Sequence, residues 1–341
     1  MQDYAIKNII FNTMAMKKIS IIGAGGWGTT LAVLVAENGY DVTLWAREKE
    51  IVQSINEKRE SKNYLPGIKI PNNVYAESSI EKAILNSDVV INAVPAQFTR
   101  EVAKEYSKHI NCDIVVNVAK GIEVGTYKRM SEVLKEELPD KVSIVSLSGP
   151  NHSEEVSRKM PTATVIASNN VDCLKDIKKI FHTDYFRVFT HDDVIGVEVC
   201  GSLKNIAALA TGVCDGLGYG DNTKASIITL GLMEMSTYGR LLGAKRATFY
   251  GLAGVGDLVA TCTSKYSRNR LVGERIAEGK NMEDIRKEMK GMVAEGIQTT
   301  KAVYEFSKKN NFYMPLTEQA YGVLYKNKDL KEAISDLLKI E

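Results

Sequence analysis

The 341-residue sequence is poor in the residues that build metal centres, disulfide frameworks and membrane spans. Its five cysteines, Cys112, Cys173, Cys200, Cys214 and Cys262, form no C-x-x-C pair and leave one over from any complete pairing, which points to a reduced, cytoplasmic protein. The four histidines, His109, His152, His182 and His191, never fall at H-x-x-x-H or beside cysteine at zinc spacing, so no metal site is expected. Neither sign of charge dominates. The 44 basic and 42 acidic residues leave a net charge of +2, which argues against nucleic acid or an anionic membrane as the main partner. No apolar run approaches the roughly 20 residues that cross a bilayer, so no membrane span is expected. Residues 1–15 contain Ile9, Ile10 and Phe11, but Asp3, Lys7 and Asn12 interrupt them and no small-residue cleavage site follows. They read as an N-terminal extension upstream of Met16, not as a secretory signal.

What the chain does have is alternation. Lys18 to Ile22 is an apolar strand that breaks into Gly23-Ala24-Gly25-Gly26-Trp27-Gly28, and a helical pattern follows at once. The G-x-G-x-x-G spacing fits a dinucleotide pyrophosphate: Gly23 for a tight turn, Gly25 for close backbone approach, Gly28 for packing of helix on strand. The helix N-terminus adds unpaired N–H groups and partial positive charge. Asn38-Gly39 ends that helix and Asp41 to Trp45 is a second strand, which completes the β-α-β unit the fingerprint requires. Further strands are expected at 88–94, 114–118, 142–147, 162–167 and 186–190, with helices at 97–109 and 126–138. This is an α/β pattern: a doubly wound, mostly parallel sheet of Rossmann type over residues 16–190. From 191 to 341 the strand signal fades, and helices at about 192–214, 221–242, 268–279, 295–308 and 315–326 predict an all-α second domain, with residues 251–263 as an irregular loop.

Several residues carry chemistry. In Val199 to Cys214 the single charge is Lys204, set among small and apolar residues. Either it snorkels at a helix edge, or burial lowers its pKa toward the range useful for proton transfer. Asp257, in a glycine-rich turn, either pairs with Lys204 or caps the next helix. Ser267-Arg268-Asn269-Arg270 is either an ordinary capped helix start or a phosphate site, and Lys120 on a loop after a strand is a second anion candidate. Arg47 follows the second strand, where an arginine tolerates the 2′-phosphate of NADP; with Glu48 adjacent, a plain surface arginine is the other reading.

Taken in order, Gly23 to Thr29, Ala119-Lys120-Gly121, Ser148-Gly149-Pro150, the Lys204 segment, Gly254 to Leu258, Ser267-Arg268-Asn269 and Val293 to Gly296 closely resemble the bacterial NAD(P)-dependent glycerol-3-phosphate dehydrogenases. The resemblance covers about residues 16 to 330. It implies reversible reduction of dihydroxyacetone phosphate to sn-glycerol 3-phosphate for glycerophospholipid synthesis, with NADP or NAD as cofactor and NADPH favoured. It implies Lys204 as proton donor and acceptor, oriented by Asp257. Lys120, Gly149, Asn151, Lys204, Asp257, Ser267, Arg268 and Asn269 would face substrate. Gly26, Trp27, Arg47, Lys120, Ser153, Arg268, Val293 and Glu295 would line the cofactor. Two positions depart from the commoner family forms: Gly26 stands for a frequent serine and Ser153 for a frequent alanine. A homodimer is the expected assembly. Two rival readings are a dehydrogenase of a β-hydroxyacid and a non-catalytic NAD(P) sensor; the sensor would have no use for Lys204 in its apolar setting.

Overall fold

The computed structural model describes residues 18–289 and 291–339, so the N-terminal extension expected at residues 1–15 lies outside the described residues. Eight strands, β1 Lys18–Ile22, β2 Asp41–Trp45, β3 Val74–Glu77, β4 Val89–Asn92, β5 Ile114–Asn117, β6 Ser143–Ser148, β7 Thr162–Ser168 and β8 Phe186–His191, form one sheet in the order β3-β2-β1-β4-β5-β6-β7-β8. Every neighbouring pair is parallel except β6 and β7, which are antiparallel. The doubly wound, mostly parallel sheet expected from the alternation is therefore present. Strand order reverses between β1 and β4, and in such sheets the crevice outside the strand C-termini at that point is where ligands bind.

Seven helices lie between the strands: α1 Gly26–Glu37, α2 Lys49–Gln53, α3 Ile80–Ile84, α4 Thr99–Tyr106, α5 Met130–Glu137, α6 Ser153–Val156 and α7 Leu174–Phe181. The period-two pattern of the strands sorts their side chains to two faces. Ile19, Ile21, Ile91 and Val116 pack with Leu31, Leu34 and Phe181 on one side, while Ile22, Val90 and Val115 meet Tyr106 and Leu134 on the other. Burial on both faces is why these strands read as nearly continuous apolar runs.

Beyond His191 the described residues form only helices and turns: α8 Val194–Gly216, α9 Asp221–Leu241, α10 Asp257–Thr263, α11 Arg268–Ala277, α12 Met282–Glu288, α13 Glu295–Lys309, α14 Pro315–Lys326 and α15 Leu330–Leu338. Among them α8 alone is long and apolar enough to cross a membrane, and it is the buried core helix of this region. Its crossing with α11 is made by backbone contact. A Cβ on Gly212 would lie 1.9 Å from the Arg270 carbonyl oxygen, and one on Gly273 would lie 2.0 Å from that of Leu209. These glycines bring the start of α11 against the helix that carries Lys204.

Some sequence expectations are corrected. The residues expected as an irregular loop at 251–263 contain a π-turn at Leu252–Gly256 and the helix α10. The helix expected over 126–138 begins only at Met130, because Gly125 and Tyr127 take positive φ and an isolated bridge pairs Ile122 with Arg129. The strand β3 and the helices α2, α3, α6, α7, α12 and α15 lie where the sequence reading places no element.

Candidate active site

The glycine fingerprint forms the turn from β1 into α1, and its three glycines do different work. Gly23 has φ +118°, and a Cβ there would lie 2.7 Å from the Ala93 carbonyl oxygen of the neighbouring strand's end. Its N–H donates to the Trp45 carbonyl oxygen at 3.1 Å, which ties the turn to β2. Gly25 fronts open space, with nothing within 4 Å of where its Cβ would be, and Gly28 packs so closely that a Cβ would meet the Gly23 carbonyl oxygen at 1.9 Å. Trp27 packs its ring toward Phe186, with centroids 6.4 Å apart, and its buried Nε1 has no hydrogen-bond partner. Arg47 lies just past β2 with its side chain largely in solvent, paired at 3.0 Å with Glu48. Such an exposed pair holds an arginine weakly.

Lys204 and Asp257, 53 residues apart, meet in a buried ion pair, the Lys204 Nζ on Asp257 Oδ1. Asp257 is the first residue of α10, whose N-cap is Gly256, so its carboxylate pairs with lysine and does not cap the helix. Its second oxygen, Oδ2, accepts from Lys120 Nζ at 2.9 Å and lies 3.5 Å from the Ser148 hydroxyl. One carboxylate thus faces two ammonium groups.

The electrostatic consequence falls on the more buried of the two lysines. Burial drives the Lys204 pKa down, the nearby Asp257 charge pulls it back up and Lys120 pushes it down again, and the balance lies at about 7. Burial alone would raise the Asp257 pKa, but the Lys120 and Lys204 charges outweigh it and the carboxyl stays below its ordinary value. With Asp257 held ionised between two cations, Lys204 is the group that can lose its proton near neutral pH.

Hydrogen bonds fix each member. Lys204 also donates to the Thr261 hydroxyl at 2.7 Å, and that hydroxyl donates to the Asp257 carbonyl oxygen at 2.6 Å. An ammonium has three N–H bonds, so Lys204 keeps one for another acceptor. Lys120 keeps none: it reaches Asp257, the Gly149 carbonyl oxygen at 3.0 Å and Asn151 Oδ1 at 3.3 Å. Asn151 in turn donates to Thr164 Oγ1 at 2.9 Å.

The start of α11 divides by role. Ser267 is the N-cap, its hydroxyl accepting from the Arg270 N–H. Asn269 is buried; it donates to Asn205 Oδ1 at 2.9 Å and accepts from the Gly296 N–H at 2.9 Å, so it knits α8, α11 and α13 together. Arg270 pairs with Asp215 and Glu274. Arg268 is exposed, and its guanidinium makes no hydrogen bond or ion pair among the described residues.

Close to Arg268, Glu295 opens α13, and its Oε1 accepts from the Ala96 N–H at 2.9 Å, linking the helical region to the sheet. Its Oε2 is buried without a partner, and burial raises its pKa to about 7 against the pull of Arg268. Val293, just before it, is exposed. Sequence reasoning missed Thr261 and Ser148. The spacing of Thr261 four residues after Asp257 would have signalled a shared helix face had α10 been recognised.

A family model of the NAD-dependent glycerol-3-phosphate dehydrogenase N-terminus matches residues 18–174, and one of the C-terminus of the same enzymes matches residues 193–335. The chain belongs to the NAD-dependent glycerol-3-phosphate dehydrogenase family. A relative from Chlorobium limicola named glycerol-3-phosphate dehydrogenase (NAD(P)+) is 47% identical over 326 residues, covering 95% of this chain and 98% of its own. One of the same name from Bacillus cytotoxicus is 44% identical, with 95% of each chain covered. The solved glycerol-3-phosphate dehydrogenase of Coxiella burnetii superposes with a TM-score of 0.91 at 36% identity, over 95% of this chain and 99% of that one. The resemblance drawn from the ordered motifs is therefore correct at the level of the family.

Proposed function

We propose that this glycerol-3-phosphate dehydrogenase reduces dihydroxyacetone phosphate to sn-glycerol 3-phosphate with NADPH or NADH, and runs the reverse. The observation that carries the chemistry is the buried Lys204, which shares the Asp257 carboxylate with Lys120 and keeps one N–H free. The glycine crevice fits a dinucleotide, because Gly25 leaves open space in front of the α1 N-terminus. Residues 16–190 serve as the cofactor domain and 191–341 as the substrate domain. Gly23, Gly25, Gly26, Trp27, Gly28, Arg47, Lys120, Ser153, Arg268, Val293 and Glu295 line the cofactor, and the buried Glu295 Oε2 has no partner among the described residues. The nicotinamide, when bound, supplies a hydride to the substrate C2 carbonyl. Lys204 gives its free N–H proton to the C2 oxygen, and Asp257 and Thr261 hold the ammonium in place. Lys120, saturated by Gly149, Asn151 and Asp257, keeps the carboxylate ionised. Arg268 takes the substrate phosphate, with Ser267 fixing the start of its helix and Asn269 offering its remaining amide N–H.

The sign of the pH dependence follows. Reduction needs Lys204 charged and oxidation needs it neutral, so kcat for dihydroxyacetone phosphate reduction is expected to fall as pH rises through about 7, and kcat for glycerol 3-phosphate oxidation to rise through the same region. Profiles that move in the same direction for both reactions would remove Lys204 from the proton step.

NADPH is the preferred reductant in this reading, on the support of Arg47 at the end of β2. Arg47→Ala is expected to raise KM for NADPH about tenfold, the worth of one charge-assisted contact, and to leave KM for NADH unchanged. Equal changes for both would assign Arg47 to the surface.

The assembly is a homodimer through the outer face of α9. Ala225, Thr229, Met233, Thr237 and Leu241 recur every fourth residue there, all exposed and none charged. Sedimentation of Met233→Glu as a monomer, against a dimeric parent, checks this; two identical profiles would place the contact elsewhere. The five free, buried cysteines accord with a reducing, cytoplasmic setting.

A further inference from the structure

Strands β4 and β5 are apolar until their last residue, which in each is an asparagine. Asn92 and Asn117 are partners in the sheet register, and both are fully buried. Asn92 Nδ2 donates to Asn117 Oδ1 at 3.1 Å and lies 3.4 Å from the Thr99 hydroxyl. The Asn117 amide then brackets Ala119. Its Oδ1 accepts from the Ala119 N–H at 3.3 Å, and its Nδ2 donates to the Ala119 carbonyl oxygen at 3.0 Å. A side-chain oxygen that accepts from the N–H two residues on holds the chain in a turn. Both peptides of Ala119 are thereby fixed, and the next residue is Lys120. The sheet itself gains little from this pair, because burying two amides costs free energy and Asn92 Oδ1 has no partner among the described residues. What the pair supplies is a fixed origin for a side chain that needs one. Lys120 shares the Asp257 carboxylate with Lys204, whose like charge repels it, and it is only half-buried, so solvent is open to its ammonium.

We propose that Asn117, held by Asn92, is a positioning residue for the proton step: by fixing Ala119 it keeps the Lys120 ammonium on Asp257, and through that shared carboxylate it sets the pH at which Lys204 gives up its proton. The inference rests on Lys204 as the proton donor and adds to it two residues that touch neither substrate nor cofactor. Besides Lys120 and Asp257, the titratable groups around Lys204 are His152 from the loop after β6, Cys262 from α10, and Cys200 one turn earlier on α8, which feels Asp257. Burial holds the imidazole below its ordinary value and both thiols above theirs, so all three are neutral near pH 7. Lys120 and Asp257 are the charges left to act. The sign follows from the like charge: Lys120 pushes the Lys204 pKa down, so an ammonium that swings off Asp257 lets it rise.

The test is the pH profile of kcat for dihydroxyacetone phosphate reduction, with a thermal melt of each variant. The combined Asn92→Val, Asn117→Val variant removes both partners of the buried pair, so no amide is stranded and the melting temperature should stay near the parent's. Its profile midpoint is expected to rise by about one pH unit, the scale of losing one nearby like charge. Asn117→Ala should move the midpoint in the same direction. Asn117→Ser should leave it near the parent's, because a hydroxyl can accept from the Ala119 N–H as the asparagine does. A purely structural pair would lower kcat and the melting temperature with the midpoint in place. An unmoved midpoint in the combined variant, or coincident profiles for Asn117→Ser and Asn117→Ala, overturns the proposal. Should the combined variant not fold by circular dichroism, the serine and alanine variants decide, since they differ by one hydroxyl. Parent profiles that move together for reduction and oxidation would instead contradict Lys204 as the proton donor, which keeps the two failures distinct.

Discussion

Lys204→Ala is expected to lower kcat for dihydroxyacetone phosphate reduction at least about 100-fold, the usual scale for a positioned acid–base group, while leaving NADPH affinity near that of the parent. The fold should survive, for a reason visible in the charges. In the parent, two ammonium groups face one buried carboxylate. Removing Lys204 leaves Lys120 on Asp257, a balanced pair still supported by Gly149 and Asn151. The variant is therefore expected to melt no lower than the parent, which separates loss of chemistry from loss of structure. The opposite holds for Asp257, whose removal would strand the buried Lys204 ammonium beside the half-buried one of Lys120. Steady-state kinetics with a parallel thermal melt checks both parts; turnover near the parent rate would take Lys204 out of the mechanism.

The second large effect is expected at Arg268. Its guanidinium is exposed and makes no hydrogen bond or ion pair among the described residues, whereas Arg270, two residues on, is engaged by Asp215 and Glu274. A guanidinium held at the crevice without an internal partner is suited to an external oxyanion. Loss of a bidentate, charge-assisted contact of about 3 kcal/mol should lower kcat/KM for dihydroxyacetone phosphate about 100-fold in Arg268→Ala. Unphosphorylated dihydroxyacetone lacks the group that Arg268 would hold, so its slow reduction should not change. Equal losses on the two substrates would mean that Arg268 does not bind phosphate.

The sheet was legible in the sequence because burial on both faces writes parallel strands as apolar runs and because the fingerprint turn has a strict spacing. β3 escaped since it is a four-residue edge strand, with Tyr75 outward and only Val74 and Ala76 fully buried. The strand β7 was legible at 162–167, but its antiparallel pairing with β6 was not, because nothing local distinguishes its apolar run from a parallel one. Helices α12 and α15 are short, and their cap residues were their main signal: Asn281 accepts from the Glu283 and Asp284 N–H groups, and Asp329 from those of Lys331 and Glu332.

At the site, the residue types were legible and their partners were not. Lys204 stood out as a lone charge on an apolar helix, but its depressed pKa depends on burial and on Lys120. Lys120 reaches Asp257 across 137 residues, a pairing that only the folded chain makes. Reading residues 251–263 as a loop hid α10 and with it Thr261, because the glycines at 251, 254 and 256 mask a helix that starts immediately after them. Asn269 shows the converse: it looks like a surface ligand in an Arg-Asn pair, yet its amide mainly joins three helices.

The most direct test of the whole account is to mix the purified chain with NADPH and dihydroxyacetone phosphate and follow nucleotide and sugar phosphate together. The account predicts that sn-glycerol 3-phosphate forms in step with NADPH oxidation, and that the reaction requires the phosphate group and Lys204. Tight NADPH binding with no glycerol 3-phosphate formed would contradict it, and would make the crevice a nucleotide sensor instead of an active site.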